Sequence, residues 1–271
     1  MAKRATRRAR TETVETARIH TLVFDADRQG AANDADRDQR YLRKVRPRSD
    51  NQRILMEAIG KQALTLALGP AGTGKTYLAI TAAVEALEEG RIARIVLSRP
   101  AVEAGENLGY LPGNMREKLD PYLRPLYDAL HDMMPGDQVV KRLTTGEIEV
   151  APLAFMRGRT LANSFVILDE AQNTSPMQMK MFLTRLGENS RMAVNGDLTQ
   201  IDLPPGQKSG LRDALEAIEN VEGVGTVRFS NRDVVRHHLV QKIVSAYDSR
   251  DRKKTSRSAS PVTESSKGVD G

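Results

Sequence analysis

The segment Gly69-Pro70-Ala71-Gly72-Thr73-Gly74-Lys75-Thr76 sets glycines, a lysine and a hydroxyl at the spacing G-x-x-x-x-G-K-[ST]. Gly69, Gly72 and Gly74 let the backbone take positive φ and turn its N–H groups inward, as a loop that cradles phosphate must. Lys75 then reaches the β- and γ-phosphates of a triphosphate, and the Thr76 hydroxyl can ligate Mg²⁺. An apolar run, Leu64 to Leu68, precedes the loop and a helical pattern over 75–89 follows it, so the positive end of a helix dipole adds to the cradle. A dinucleotide fingerprint does not fit, because Tyr77 stands where a third Gly or Ala is required.

Two further segments could complete such a site. Val166-Ile167-Leu168-Asp169-Glu170 is an apolar strand that delivers adjacent carboxylates at its carboxyl end, where open α/β sheets bind ligands. Asp169 would hold the metal directly or through water, and Glu170 would orient or deprotonate an attacking water. The bland alternative is a pair of acids that favours a helix start. The run from Met192 to Asn195 ends in Gly196-Asp197-Leu198-Thr199-Gln200, where Asp197 or Gln200 could sense the γ-phosphate. An Asx-type turn on Gly196-Asp197 accounts for the same residues.

The elements that must position these residues alternate along the chain. Leu64 to Leu68, Ile92 to Leu97, Phe165 to Leu168, Met192 to Asn195 and Val224 to Phe229 read as short buried strands. Helical patterns cover 75–89, 175–186, 208–219 and 232–247. This alternation predicts an α/β fold, a mostly parallel sheet with helices on both faces. An insertion over 99–160 adds a Gly/Pro-rich loop, a helix near 114–133 and a further strand, Glu147 to Val150. Residues 1–46 read as a basic, flexible region with one apolar island, Ile19 to Phe24, that could pair as an edge strand. Residues 47–248 read as the folded unit, and 249–271 as a disordered basic tail.

Composition narrows the classes. With no Cys among 271 residues, disulfides, thiolate zinc sites and cysteine nucleophiles are excluded. No window of 18 apolar residues predicts a membrane span, and the basic start lacks the apolar stretch of a signal peptide. The net charge of +6 sits at the ends, with 12 Lys/Arg against 7 Asp/Glu in residues 1–46 and 6 against 3 in 249–271. Cationic ends on a near-neutral body suit salt-sensitive attraction to phosphate backbones, or simple solubilisation. Aromatic residues make up only 4%, which leaves Tyr110, Tyr122, Tyr127 and Phe155 as stacking platforms for a single strand. His237-His238 read as structural rather than metal-binding, and Met133, Met134, Met177, Met179 and Met181 as core filler.

The chain resembles the PhoH-like family of bacterial ATPases, whose domain is similar to the first RecA-like domain of superfamily 1 helicases. Beyond the phosphate loop the resemblance rests on Asp50-Asn51-Gln52, on Ser98-Arg99-Pro100-Ala101-Val102-Glu103-Ala104-Gly105-Glu106, and on Asp120-Pro121-Tyr122-Leu123-Arg124-Pro125. It continues through Met156-Arg157-Gly158-Arg159-Thr160, VILDEAQN (166–173), GDLTQIDLP (196–204) and Asp233-Val234-Val235-Arg236-His237. The resemblance implies a P-loop NTPase with a RecA-like core, a cytoplasmic protein that hydrolyses ATP with Mg²⁺ and is helicase-like toward RNA. It also implies a homo-oligomeric ring, a hexamer, and makes Gln52 the residue that reads the adenine edge. A slow nucleotide-dependent switch that recruits protein partners is the other function these residues allow. In such helicases an arginine from a second domain closes the ATP site, whereas this chain has room for one domain. A neighbouring copy would then supply the finger, with Arg236 the leading candidate ahead of Arg99 and Arg159. Residues 1–46 lack the length and GXXG loop of the KH-like module that some relatives carry, and no acidic cluster for a fused nuclease is visible.

Overall fold

Ser49 opens the first helix for a local reason. Its hydroxyl accepts a hydrogen bond from the Gln52 N–H at 3.3 Å, so α1 (Asp50–Lys61) starts with one of its orphan donors capped. The apolar periodicity of the sequence does not mark this helix, because its first turn is polar. The signal that does mark it is Ser49-x-x-Gln52 followed by apolar residues at Leu55 and Ile59, both buried. The computed structural model describes residues 45–100, 115–235, 239–240, 242–243 and 250, with the side chains of 115–119 left aside. The island Ile19 to Phe24, the 1–44 region, the 101–114 loop, Tyr110, Arg236 and His237-His238 lie outside these residues.

Among the described residues, six strands form one sheet: β1 (Leu64–Leu68), β2 (Arg94–Arg99), β3 (Ile148–Pro152), β4 (Ser164–Leu168), β5 (Arg191–Gly196) and β6 (Val224–Arg228). Their order is β3-β2-β4-β5-β1-β6 and every pairing is parallel. The helices between them are α2 (Lys75–Glu88), α3 (Met115–Met133), α4 (Gly136–Thr145), α5 (Pro176–Leu183) and α6 (Gly210–Ile218). The α/β expectation holds, and each strand that the sequence pattern marks within the described residues is present.

Alternation along the strands builds two cores. Ala67, Ile95, Leu97, Phe165, Ile167 and Ala193 pack with residues of α1 to α4 on one face. Leu66, Leu68, Val96, Val166, Leu168 and Val194 pack with α5 and α6 on the other. Burial on both faces is why these strands read as continuous apolar runs. Besides α1, three elements differ from the sequence pattern. Helix α4 has no counterpart in it, and α5 stops at Leu183, short of the expected end. The helix expected from residue 232 does not begin there: Ser230 and Asp233 close a single 3-10 turn over Asn231–Asp233, and the Val235 N–H leaves for the Gly72 carbonyl at 2.9 Å. Met133, Met134 and Met179 are buried as expected, but Met177, in the first turn of α5, is 81% exposed and fills no core.

Phe165 is 1% exposed at the centre of the α1–α4 face. Phe165→Ala should cost about 3–5 kcal/mol of folding stability, read from the urea midpoint at unchanged m-value.

Candidate functional site

The sheet order explains how distant motifs meet. Strands β4, β5 and β1 are consecutive, so the segments leaving their carboxyl ends, Asp169-Glu170, Gly196-Asp197 and the phosphate loop, lie side by side. The loop starts inside the sheet's hydrogen bonding, since the Gly69 N–H donates to the Gly196 carbonyl at 3.0 Å. Gly69 has φ +134°, and a Cβ there would come within 2.5 Å of the Phe229 carbonyl oxygen. Only glycine lets the chain leave β1 at that angle against β6's continuation.

Gly74, at φ +86°, caps α2 without any side-chain hydrogen bond to the helix's first N–H groups. Lys75 is buried, and its ammonium donates to the carbonyls of Gly69 at 2.6 Å and Pro70 at 2.8 Å. The loop's far side is fastened by Gln52, whose Nε2 donates to the Thr73 carbonyl at 2.9 Å while its Oε1 accepts from the Arg48 N–H at 2.7 Å. Gln52 therefore braces the phosphate loop from α1, a contact that spacing alone does not reveal. The 230–235 segment braces it from behind. Asn51 Nδ2 donates to Asp233 Oδ2 at 2.8 Å, and the Ser230 N–H donates to the same carboxylate at 2.8 Å. Burial alone would raise the Asp233 pKa, but the bonds from Ser230, Asn51 and Ser49 outweigh it and hold the carboxyl below its ordinary value.

The two acids after β4 have different surroundings. Asp169 is buried and its Oδ1 accepts the Thr76 hydroxyl at 2.5 Å. Burial pushes its pKa up and neighbouring Glu170 adds to the rise, against the pull of Thr76, Arg99 and Lys75. Glu170 is half-exposed and sits in the left-handed region at φ 52°, a strain of about 1–2 kcal/mol for a non-glycine residue. Its Oε1 lies 3.4 Å from Arg99 Nη2, and its Oε2 accepts from Gln172 Nε2 at 2.6 Å.

Gln172, fully buried, is the organiser that the sequence pattern does not single out. Its Nε2 also donates to the Gln200 carbonyl at 3.1 Å, and its Oε1 accepts from the Asp197 N–H at 3.0 Å. It therefore ties the acids of β4 to the turn after β5. In that turn Asp197 Oδ1 accepts from the Thr199 N–H and hydroxyl, and Oδ2 accepts from Gln200 Nε2 at 2.7 Å. The Asx-type turn, the second of the two readings of this segment, is thus present.

Of the candidate finger arginines, Arg99 stands at its own chain's Glu170. Arg159 is held bidentate by Glu149, at 2.6 and 2.7 Å, which raises the arginine pKa and lowers that of the glutamate. Arg236 lies outside the described residues. Phe155 is exposed, Tyr122 and Tyr127 are half-buried, and the Tyr122 carbonyl accepts from Arg99 Nη1 at 3.4 Å. A cleft of about 490 Å³ opens at the opposite, amino-terminal edge of the sheet, lined by Lys61, Arg91, Asn163, Asn189 and Arg191 among others. None of the residues with triphosphate chemistry reaches it. Among the described residues, no helix is long and apolar enough to cross a membrane.

Comparison with known proteins follows from this geometry. The family model described as PhoH-like protein matches residues 44–248. A PhoH-like protein of Bacillus subtilis (strain 168) is 56% identical over 206 residues, 76% of this chain and 65% of the relative. A PhoH-like protein of Mycobacterium tuberculosis (strain ATCC 25618 / H37Rv) is 56% identical over 203 residues, 75% of this chain and 58% of the relative. Protein PhoH of Escherichia coli (strain K12) is 48% identical over 213 residues, 78% of this chain and 60% of the relative. The match thus spans about three-fifths of the length of these relatives. Among solved structures, the Hef helicase domain of Pyrococcus furiosus aligns with TM-score 0.41 at 12% identity, covering 68% of this chain and 38% of that one. The large terminase of a thermophilic bacteriophage, in complex with ADP, aligns with TM-score 0.43 at 11% identity, covering 72% of this chain and 49% of that one.

The Asp233 clamp makes a signed prediction. A carboxyl held below its ordinary pKa adds stability above that value, about 3.9 for a free Asp, and loses it as the pH falls through the lowered one. Asp233→Asn should therefore lower stability at pH 7 by about 1–3 kcal/mol, and the gap from wild type should close toward pH 3 in thermal melts.

Proposed function

The chain belongs to the PhoH-like family, and from that premise we propose that it binds ATP with Mg²⁺ and hydrolyses it in the service of an action on RNA. The observation that carries the reading is the corner where the Thr76 hydroxyl meets the buried Asp169 carboxylate, beside Lys75 and at the uncapped amino end of α2. Thr76 and Asp169 are hard oxygen donors, and the burial-raised pKa of Asp169 is what a bound divalent cation would offset, so the pair fits Mg²⁺. Among the described residues no group of three or more His, Cys, Asp and Glu could hold a metal alone. Phosphate oxygens and water would complete its shell, the usual way with Mg²⁺. Held by Thr76 and Asp169, such an ion would supply positive charge to offset the negative charge that develops on the phosphates.

The protein's own groups do the rest. Lys75 leaves the loop carbonyls for phosphate oxygens, and the first N–H groups of α2 point at the same charge. Glu170, steadied by Arg99 and Gln172, takes a proton from water as the water oxygen bonds to the γ-phosphorus. The bond from that phosphorus to the bridging oxygen breaks, leaving ADP and phosphate. In this reading Gln52 contacts adenine with the donor and acceptor capacity left after its bonds to Thr73 and Arg48, while Asp197 and Gln200 hold the turn nearest the γ-phosphate.

The charge of an arginine finger would come from the next copy in a cytoplasmic ring, with Arg236 as its source. It follows Val235, whose N–H is bonded to the loop. One observation favours a slower nucleotide switch instead: Arg99 and Arg159, the other candidates, are already held by Glu170 and Glu149 of their own chain.

Three outcomes test this. Lys75→Ala should lower ATP turnover by about 10²–10³-fold. In the same assay, single-stranded RNA should raise the wild-type rate and lose that effect on removal of residues 1–46, whereas a rate indifferent to every RNA supports the switch. Mixing Arg236→Ala with Lys75→Ala protein should restore hydrolysis if the finger acts between copies, and mixed assemblies without recovery rule it out.

A further inference from the structure

Asn195, the penultimate residue of β5, is fully buried. Among the described residues neither its Oδ1 nor its Nδ2 has a hydrogen-bond partner. The buried hydroxyls of Thr65, Ser98 and Thr226 are also unpartnered. Each of those, however, is a single group, whereas a carboxamide leaves two donors and two lone pairs unmet. Buried polar groups of this kind are rare and carry a large desolvation penalty, so one beside a ligand site is informative.

The direction of the side chain follows from its neighbours. Val194 packs on the α5–α6 face, and a Cβ on Gly196 would meet Leu211 Cδ2 at 2.4 Å and Gln172 Oε1 at 2.9 Å on that same face. Asn195 must face the other way, with Ala193, beneath α2. Its register partner on β1 is Ala67, too small to fill the space. On the other side the β4–β5 pairing runs to Leu168 opposite Val194, so the next step sets Asp169 opposite Asn195. Asp169 shares the face of Ile167, as its bond to Thr76 in the first turn of α2 requires. Neighbouring strands stand about 4.8 Å apart, a gap that a carboxamide and one water span.

We propose that Asn195 is a positioning residue for the metal corner, its carboxamide holding a water of the Mg²⁺ shell against Asp169 and Thr76. The inference rests on the magnesium–nucleotide reading above. It makes the free protein less stable than it could be, and it makes metal binding the event that satisfies the amide.

The test is ADP titration by calorimetry on the full chain, with Mg²⁺ and with EDTA, together with thermal melts of the nucleotide-free protein. In Asn195→Leu, close to the same size, the free protein should melt higher than wild type. The tightening of ADP by Mg²⁺ should fall by about 10- to 100-fold, as for other groups that orient a metal's ligands, while affinity in EDTA stays unchanged. If leucine crowds α2 and the variant does not fold, Asn195→Val carries the same comparison. Wild type that binds no ADP with Mg²⁺ would sink the nucleotide reading itself. Wild type that does bind, with full Mg²⁺ tightening retained in the variant, would overturn the role of Asn195 alone, and so would equal losses with Mg²⁺ and with EDTA.

Discussion

The site depends on the phosphate loop being hung from the sheet before it begins to turn. The Gly69 N–H still bonds to β5 through Gly196, and the Phe229 N–H donates to the Leu68 carbonyl at 2.7 Å, so both flanks of β1 hold the point of departure. Gln52 then fastens Thr73, and Val235 fastens Gly72. A loop tied at each end and in the middle has little conformational freedom left to lose, so its N–H groups are aimed before a ligand arrives. This is why α1 and the 230–235 turn, remote in sequence from the loop and from each other, belong to the site.

Around that anchored loop the charges are placed under tension. Asp169 is buried against its preference, Glu170 is held in a backbone region that disfavours it, and Asn195 keeps an amide without a partner. Each lowers the stability of the free protein, and each faces the corner where a triphosphate and its cation would bring compensating charge. The cores on either side of the sheet, with Phe165 and Phe182 fully enclosed, carry that burden. On the β3 side, by contrast, Arg159 and Glu149 match each other in a bidentate pair.

Much of this is legible in the chain, and the reasons are local. Strands buried on both faces read as apolar runs, and the glycine, lysine and hydroxyl spacing of residues 69–76 is the pattern of a phosphate-cradling turn, so the parallel α/β fold and the place of that turn after β1 follow from residue order. Other features are illegible for equally physical reasons. Helix α1 starts on polar residues and shows itself only through its cap at Ser49. Met177 has the composition of a core residue, but its position in the first turn of α5 turns it to water. The segment after β6 has helical apolar spacing, yet the backbone N–H of Val235 is claimed by the loop.

The sequence by itself determined the kind of chemistry: which groups can grip a phosphate, which acids can serve a cation and a water, and which runs must be strands. Only the tertiary structure decided who stands beside whom. The order β4-β5-β1 brings Asp169, Asn195 and Gly69 to adjacent places, turns Gln52 and Asp233 into braces, and makes Gln172 a tie between two strand ends. Strand order is set by how two apolar faces are covered at once, a property of the whole packed chain, and no single segment carries it.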